Sequence, residues 1–178
     1  MKGMIILADG FEDVEAFAVI DILNRGGINI DKVIVNNVMM VESKYKIQLM
    51  GDQIIEKIDI NEYDFLVLPG GPAVKTHLID DELVLDIVKY FSNNNKLIAA
   101  ICAAPSILEK LGLLGKYTAF CKTTKEGENY LKNENVVFDK NIITAKSMYY
   151  SIEFGLKILE VLTSKEKVLE VFNSIRSL

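Results

Sequence analysis

The sequence predicts an α/β domain in which a mostly parallel sheet carries helices on both faces. Three observations carry this. Short apolar runs alternate with amphipathic stretches along the 178 residues, the pattern of repeated strand–helix units. The runs Phe65-Leu-Val-Leu68 and Leu97-Ile-Ala-Ala-Ile101 are apolar throughout, as strands covered on both sides are. The three prolines, Pro69, Pro72 and Pro105, all fall in the turns that end those two strands, which places two rigid turns at one end of the sheet.

The elements follow in order. Met4–Ala8 is a first strand and Asp9-Gly10-Phe11 a turn. Glu12–Arg25 has apolar residues at Val14, Phe17, Ala18, Ile20, Ile22 and Leu23, a helical spacing that Gly26-Gly27 stops. Lys32–Asn36 is a second strand. Tyr45–Met50 and Gln53–Ile58 flank Gly51-Asp52, which reads as a hairpin turn. The Phe65 strand, a helix over Asp81–Asn93 and the Leu97 strand come next. Tyr117–Cys121 is expected as a strand and Lys125–Leu131 as a short helix. Val136–Phe138 and Ile142–Thr144 are strands around Asp139-Lys-Asn141. Ser151–Leu162 is a helix, and Thr163-Ser-Lys-Glu166 has capping-box spacing and opens a last helix to about Ser174. No linker, repeat or low-complexity stretch divides the chain, so one domain over residues 1–178 is expected.

Composition narrows the function. Half the residues are hydrophobic, 25% are charged and the net charge is −5, which is globular rather than disordered. No basic tract is present, so nucleic acid is not an expected partner. The two cysteines, Cys102 and Cys121, form neither a disulfide framework nor a zinc pattern. No run approaches the roughly 20 apolar residues of a membrane span, and the first apolar run is too short for a signal peptide. A reduced, cytoplasmic protein without membrane or metal is expected.

The segment Lys96-Leu-Ile-Ala-Ala-Ile-Cys102-Ala-Ala-Pro105 carries most of the functional argument. A free cysteine is by composition most often a buried structural residue. Here it stands between a strand and a helix, where a sharp turn exposes the side chain above the sheet. Ligands of open α/β sheets bind at that end of the strands, and backbone N–H groups and the helix dipole there favour a thiolate. The N–H of Ala103 would point at whatever the sulfur attacks. Gly70-Gly71 could supply a second donor and complete an oxyanion hole. Glu12, Asp13 and Glu15 crowd the start of the first helix; dipole stabilisation explains the first two. Glu15 shares a side with Phe11 and Ile22, so its carboxyl is expected half-buried with a raised pKa, a protonated donor or a poised base. His77, the only histidine, lies outside these motifs, so a Cys-His-Glu triad is not expected.

Taken together, Asp64-Phe-Leu-Val-Leu-Pro-Gly-Gly-Pro72, Leu97-Ile-Ala-Ala-Ile-Cys-Ala-Ala-Pro105 and Ile6-Leu-Ala-Asp-Gly-Phe-Glu-Asp-Val-Glu15 resemble the ThiJ/PfpI superfamily. The similar branch is that of the parkinsonism-associated deglycase-like protein and its bacterial relatives, and Ser151–Leu159 resembles its carboxyl-terminal helix. The resemblance implies a flavodoxin-like sandwich, akin to class I glutamine amidotransferases, and a homodimer. It implies Cys102 as the reactive cysteine, Glu15 as its protonated partner, and Gly71 and Ala103 as oxyanion donors, with no cofactor. The activities it implies are glyoxalase or deglycase action on small aldehydes or glycated substrates. The alternative is oxidative-stress sensing, with Cys102 oxidised to a sulfinate and little turnover.

The chain also departs from the family pattern. Ala103 replaces the histidine that follows the cysteine in the protease-like branch, which argues against peptidase activity. Phe120 stands where many relatives place a histidine across the pocket. Ala145-Lys-Ser-Met-Tyr-Tyr-Ser151 replaces a glycine-proline loop, so Tyr149, Tyr150 and Met148 are expected to reshape the pocket. An arginine that relatives supply across the dimer has no counterpart near Met50. A glutamine amidotransferase would need a late histidine that is missing. A flavin-binding flavodoxin is disfavoured by the acidic first loop, Asp9–Asp13, which would repel a phosphate.

Overall fold

The computed structural model describes residues 1–177. Nine strands and five α-helices form it: β1 (Lys2–Leu7), α1 (Asp13–Arg25), β2 (Asn29–Ile34), β3 (Met40–Glu42), β4 (Gln48–Met50), β5 (Gln53–Ile54), β6 (Phe65–Leu68), α2 (Glu82–Asn93), β7 (Leu97–Ile101), α3 (Pro105–Lys110), β8 (Val136–Asp139), β9 (Ile142–Ala145), α4 (Ser151–Leu162) and α5 (Lys165–Arg176). Seven strands build the main sheet in the order β5-β2-β1-β6-β7-β9-β8. All its pairings are parallel except β8 with β9. The sequence expectation of a flavodoxin-like α/β sandwich therefore holds.

The reason lies in the apolar runs. Every residue of β6, β7 and β9 is buried, so these strands need cover on both faces, and parallel strands joined through helices provide it. From β1 the chain steps one way to β2, then returns to place β6 on the other side of β1. Right-handed crossovers then put α1 and α2 on opposite faces. α1 packs against α4, and the approach is close: a Cβ at Gly155 would lie 2.9 Å from Ile22 Cδ1.

The β1–β6 seam shows how side-chain volumes are matched. Gly3 pairs with Phe65 in register, and the fully buried Phe65 ring fills the space a Gly3 side chain would take. Phe65→Ala empties that space and is expected to cost about 3–5 kcal/mol of unfolding free energy, measured by urea denaturation. A loss below about 1 kcal/mol would mean that the seam can collapse.

Four local expectations are corrected. Gly51-Asp52 is not a hairpin turn: β4 pairs antiparallel with β3 across the turn at Ser43–Ile47, and β5 joins the main sheet parallel to β2. Asp52 causes the crossing, because its carboxylate accepts from the Lys32 N–H at 2.9 Å while its own N–H donates to the Lys32 carbonyl at 2.8 Å. Tyr117–Cys121 is not a strand; it makes one bridge, Tyr117 to Tyr130, before the Phe120 N–H turns to the Cys102 carbonyl at 2.9 Å. Lys125–Leu131 is turn rather than helix, since Glu126-Gly-Glu128 gives it no apolar face. The last helix is capped by Ser164, whose hydroxyl accepts from the Lys167 N–H at 3.3 Å, while the Thr163 hydroxyl donates to the Leu159 carbonyl and closes α4.

Candidate active site at the carboxyl edge of the sheet

The loops after β1, β6, β7 and β9 meet at one edge of the sheet, beside the point where strand order reverses between β1 and β6. Such a crevice is where open α/β sheets bind ligands. Cys102 stands there directly after β7. Its N–H completes the ladder by donating to Ala145 O at 2.9 Å, and then the chain turns, with Cys102 at φ 64°. A left-handed backbone is uncommon for a residue with a Cβ and marks stored strain. The turn continues with the Ala104 N–H donating to Ile101 O at 3.0 Å, and Pro105 starts α3. The small Ala103 and Ala104 allow the elbow, and the thiol is left half-buried.

Gly70 and Gly71 form the facing wall. Gly71 has φ 94°, and a Cβ there would lie 2.5 Å from Gly10 O and 2.6 Å from Glu12 N. A Cβ on Gly70 would lie 2.7 Å from Glu15 Oε2 and 2.8 Å from Cys102 Cβ. Only glycines let this loop close on the elbow. The N–H groups of Gly71 and Ala103 both face the Cys102 sulfur, and among the described residues neither donates to a carbonyl.

Glu15 comes from the inner face of α1 and is fully buried, deeper than the half-buried position expected. Oε2 accepts from the Gly70 N–H at 2.7 Å, and Oε1 has no hydrogen-bond partner among the described residues. Burial pushes the carboxyl up to about 7, against opposing pulls from Cys102 and the Gly70 N–H. Burial also pushes the Cys102 thiol up, and the neighbouring Glu15 adds to this, while the N–H groups of Ala103 and Gly71 pull it down. This differs from the lowered thiol the sequence suggests. The helix behind the cysteine has six residues, too short for a strong dipole, and burial outweighs it. Thiol and carboxyl act as one coupled pair whose first proton leaves far more easily than its second.

The cavity over the sulfur has a volume of about 440 Å³. Phe120 and Tyr149 line it, and Met148 and Pro72 add apolar wall. Tyr150 does not line it. Met148–Tyr150 form a 3-10 turn, and the two tyrosine rings stand at 82° to each other. Tyr150 lines instead a neighbouring groove with Leu156 and Phe172, and Tyr149, whose ring packs edge-on against that of Tyr150 at 5.1 Å, borders both. Glu12, Lys44, Tyr45 and Ser147 also line the cavity. Sequence reasoning missed Lys44 and Tyr45 because they reach the site through the β3–β4 turn, which carries no motif, whereas Ser147 lies in the Ala145–Ser151 loop already singled out. Glu12 and Asp13 do more than meet the helix dipole: Glu12 Oε2 pairs with Lys44 Nζ at 3.2 Å, and the buried Asp13 accepts from the Ser43 hydroxyl. His77 is exposed in a π-helical turn at Val74–Leu78, away from the cavity. Cys121 is free and exposed.

The DJ-1/PfpI family profile matches residues 1–161. The chain belongs to this family. Protein dj-1beta of Drosophila melanogaster is 34% identical over 175 residues, covering 96% of this chain and 94% of that protein. The crystal structure of Drosophila DJ-1beta superposes with a TM-score of 0.90 at 31% identity, covering 98% of this chain and 96% of that one. The glutathione-independent glyoxalase DJR-1.2 of Caenorhabditis elegans is 29% identical over 161 residues, covering 88% of this chain and 85% of that protein. The three motifs of this DJ-1/PfpI protein, far apart in sequence, meet at the elbow. Among its described residues no group of three or more His, Cys, Asp or Glu could hold a metal ion, and no helix is long and apolar enough to cross a membrane.

Proposed function

We propose that this DJ-1/PfpI protein acts on small reactive carbonyls through Cys102 and Glu15, as a glyoxalase or deglycase that needs no metal or organic cofactor. The observation that carries the reading is the fully buried Glu15 carboxyl beside the Cys102 thiol, in a cavity with two unspent backbone donors. The glyoxalase among the relatives supports it.

The chemistry follows from the groups present. Moving the thiol proton to the Glu15 carboxylate makes a thiolate and a neutral acid. The thiolate adds to the aldehyde carbon of a 2-oxoaldehyde, forming a C–S bond while the carbonyl π pair moves to oxygen. The N–H groups of Gly71 and Ala103 hold that oxyanion, and Glu15 returns its proton to give the hemithioacetal. Glu15 then takes the C1 proton to give an enediolate and delivers it to C2, while the hydroxyl proton on the C1 oxygen passes to the C2 oxygen, which leaves a thioester of the 2-hydroxy acid. Water cleaves the thioester, releasing the acid and the thiol.

The test is lactate formation from methylglyoxal. The wild type is expected to exceed Cys102→Ser by about a thousandfold or more. Equal rates would defeat the reading.

A second reading rests on the same three groups. The two N–H donors and the Glu15 hydroxyl match the oxygens of a sulfinate, formed when the thiolate reduces two peroxide molecules to water. Mass spectrometry after mild peroxide should then add about 32 mass units at Cys102, and prior oxidation of Cys121 would count against it. A cytoplasmic homodimer completes the proposal, and sedimentation at micromolar concentration checks the dimer.

A further inference from the structure

The proposed chemistry needs only a thiol, an acid and two N–H groups, yet the cavity holds more. Its volume of about 440 Å³ is space for about fifteen waters at about 30 Å³ each. A three-carbon oxoaldehyde, with five heavy atoms, fills only a fraction of it. The remaining wall is aromatic and apolar, from Tyr45, Phe120, Met148 and Tyr149, with one cation among its lining residues, Lys44.

The backbone of Lys44 is held in place while its side chain remains exposed at the cavity. Its N–H donates to Phe11 O at 2.8 Å, and the preceding Ser43 donates its hydroxyl to the buried Asp13. These bonds pin the β3–β4 turn to the start of α1. The ammonium gives one of its three donors to Glu12 at 3.2 Å, which leaves capacity for a second acceptor.

We propose that Lys44 is the specificity residue of the Cys102 pocket, binding a carboxylate on the substrate. The substrate class is then a reactive carbonyl with an apolar or aromatic body and a carboxylate at its far end. This rests on the carbonyl reading for turnover, but the binding half stands on the cavity alone. Glu12 sets the balance by competing with the incoming carboxylate for the ammonium.

The test compares alkylation of Cys102 by iodoacetate and by iodoacetamide, followed residue by residue with mass spectrometry. Both reagents attack the same thiolate, so its degree of ionisation cancels in the rate ratio, and only the charge of the reagent remains. Lys44→Met, which also leaves Glu12 unpaired, is expected to lower the iodoacetate-to-iodoacetamide ratio about fivefold. Lys44→Arg should keep it, and Glu12→Gln should raise it about twofold. The exposed Cys121 is the internal reference, and its ratio should not move. A ratio unchanged in Lys44→Met, or Glu12→Gln and Lys44→Met moving it the same way, would overturn the proposal. Turnover supplies the second arm: kcat/KM for 4-carboxyphenylglyoxal relative to phenylglyoxal should fall in Lys44→Met, through KM. Absence of turnover in the wild type would remove the carbonyl reading and leave the alkylation ratio to decide the role of Lys44.

Discussion

Glu15→Gln is expected to reduce methylglyoxal turnover by about a hundredfold or more, the usual share of a general acid–base group, and to remove a pH step from both reactivity and stability. The carboxyl sits at about 7 in the fold because burial disfavours its charge. Cys102 alkylation in the wild type should therefore first rise around pH 7, where the pair loses its first proton and a share of the charge resides on sulfur. In the glutamine variant the thiol must ionise alone in a buried site, and the rise should move to higher pH. A wild-type midpoint near the free-thiol value of about 8.5, unchanged in the variant, would show that the two groups are not coupled.

The stability consequence has a definite sign. Between pH 4.5 and about 7 the unfolded chain has released the Glu15 proton and the folded chain retains it. Stability then falls as pH rises. The gap of about 2.5, at 1.36 kcal/mol for each pKa step, corresponds to about 3 kcal/mol. Glutamine cannot ionise, so the wild-type minus variant difference in unfolding free energy should shrink by about that amount from pH 4.5 to 8. Groups not coupled to Glu15 cancel in the difference. A difference that stays flat would place Glu15 in the ordinary carboxylate range.

Gly71→Ala is expected to cost about 2–4 kcal/mol of stability and about a hundredfold in turnover. The residue holds φ 94°, and its Cβ would meet Gly10 O at 2.5 Å and Glu12 N at 2.6 Å. Both are backbone atoms and cannot swing aside, so the loop must shift. That shift would carry the Gly71 N–H away from the Cys102 sulfur it faces. Gly27 separates the two effects. It also has positive φ, 77°, but its Cβ would meet nothing within 4 Å. Gly27→Ala should cost about 1 kcal/mol from backbone strain alone and leave turnover intact. Equal losses in the two variants would mean that crowding at Gly71 is relieved.

Much of the fold was legible in the residues because its signals are local. Phe65–Leu68 and Leu97–Ile101 are uniformly apolar and so had to be buried on both faces. Cys102 between such a strand and Pro105 could only stand at a turn. Glu15, four residues after Phe11 and seven before Ile22, was placed on or beside the apolar face, and packing buried it fully. The failures share a different cause. At Asp52 and Tyr117 the pairing partner is chosen by bonds to Lys32 and Tyr130, which no periodicity encodes. Tyr149 and Tyr150, adjacent in sequence and in ring contact, differ because the 3-10 turn leaves only Tyr149 on the Cys102 cavity while both border the neighbouring groove.

By itself the sequence determined the α/β class, the cysteine elbow, the glycine wall and the inward carboxylate, because each follows from the spacing of apolar, small and charged residues along one segment. Tertiary structure alone decided the electrostatics and the reach of the site. The burial that lifts both Glu15 and Cys102, and the β3–β4 turn that brings Lys44 into the wall of the cavity, arise from packing between segments distant in sequence, and desolvation and charge depend on distance in space.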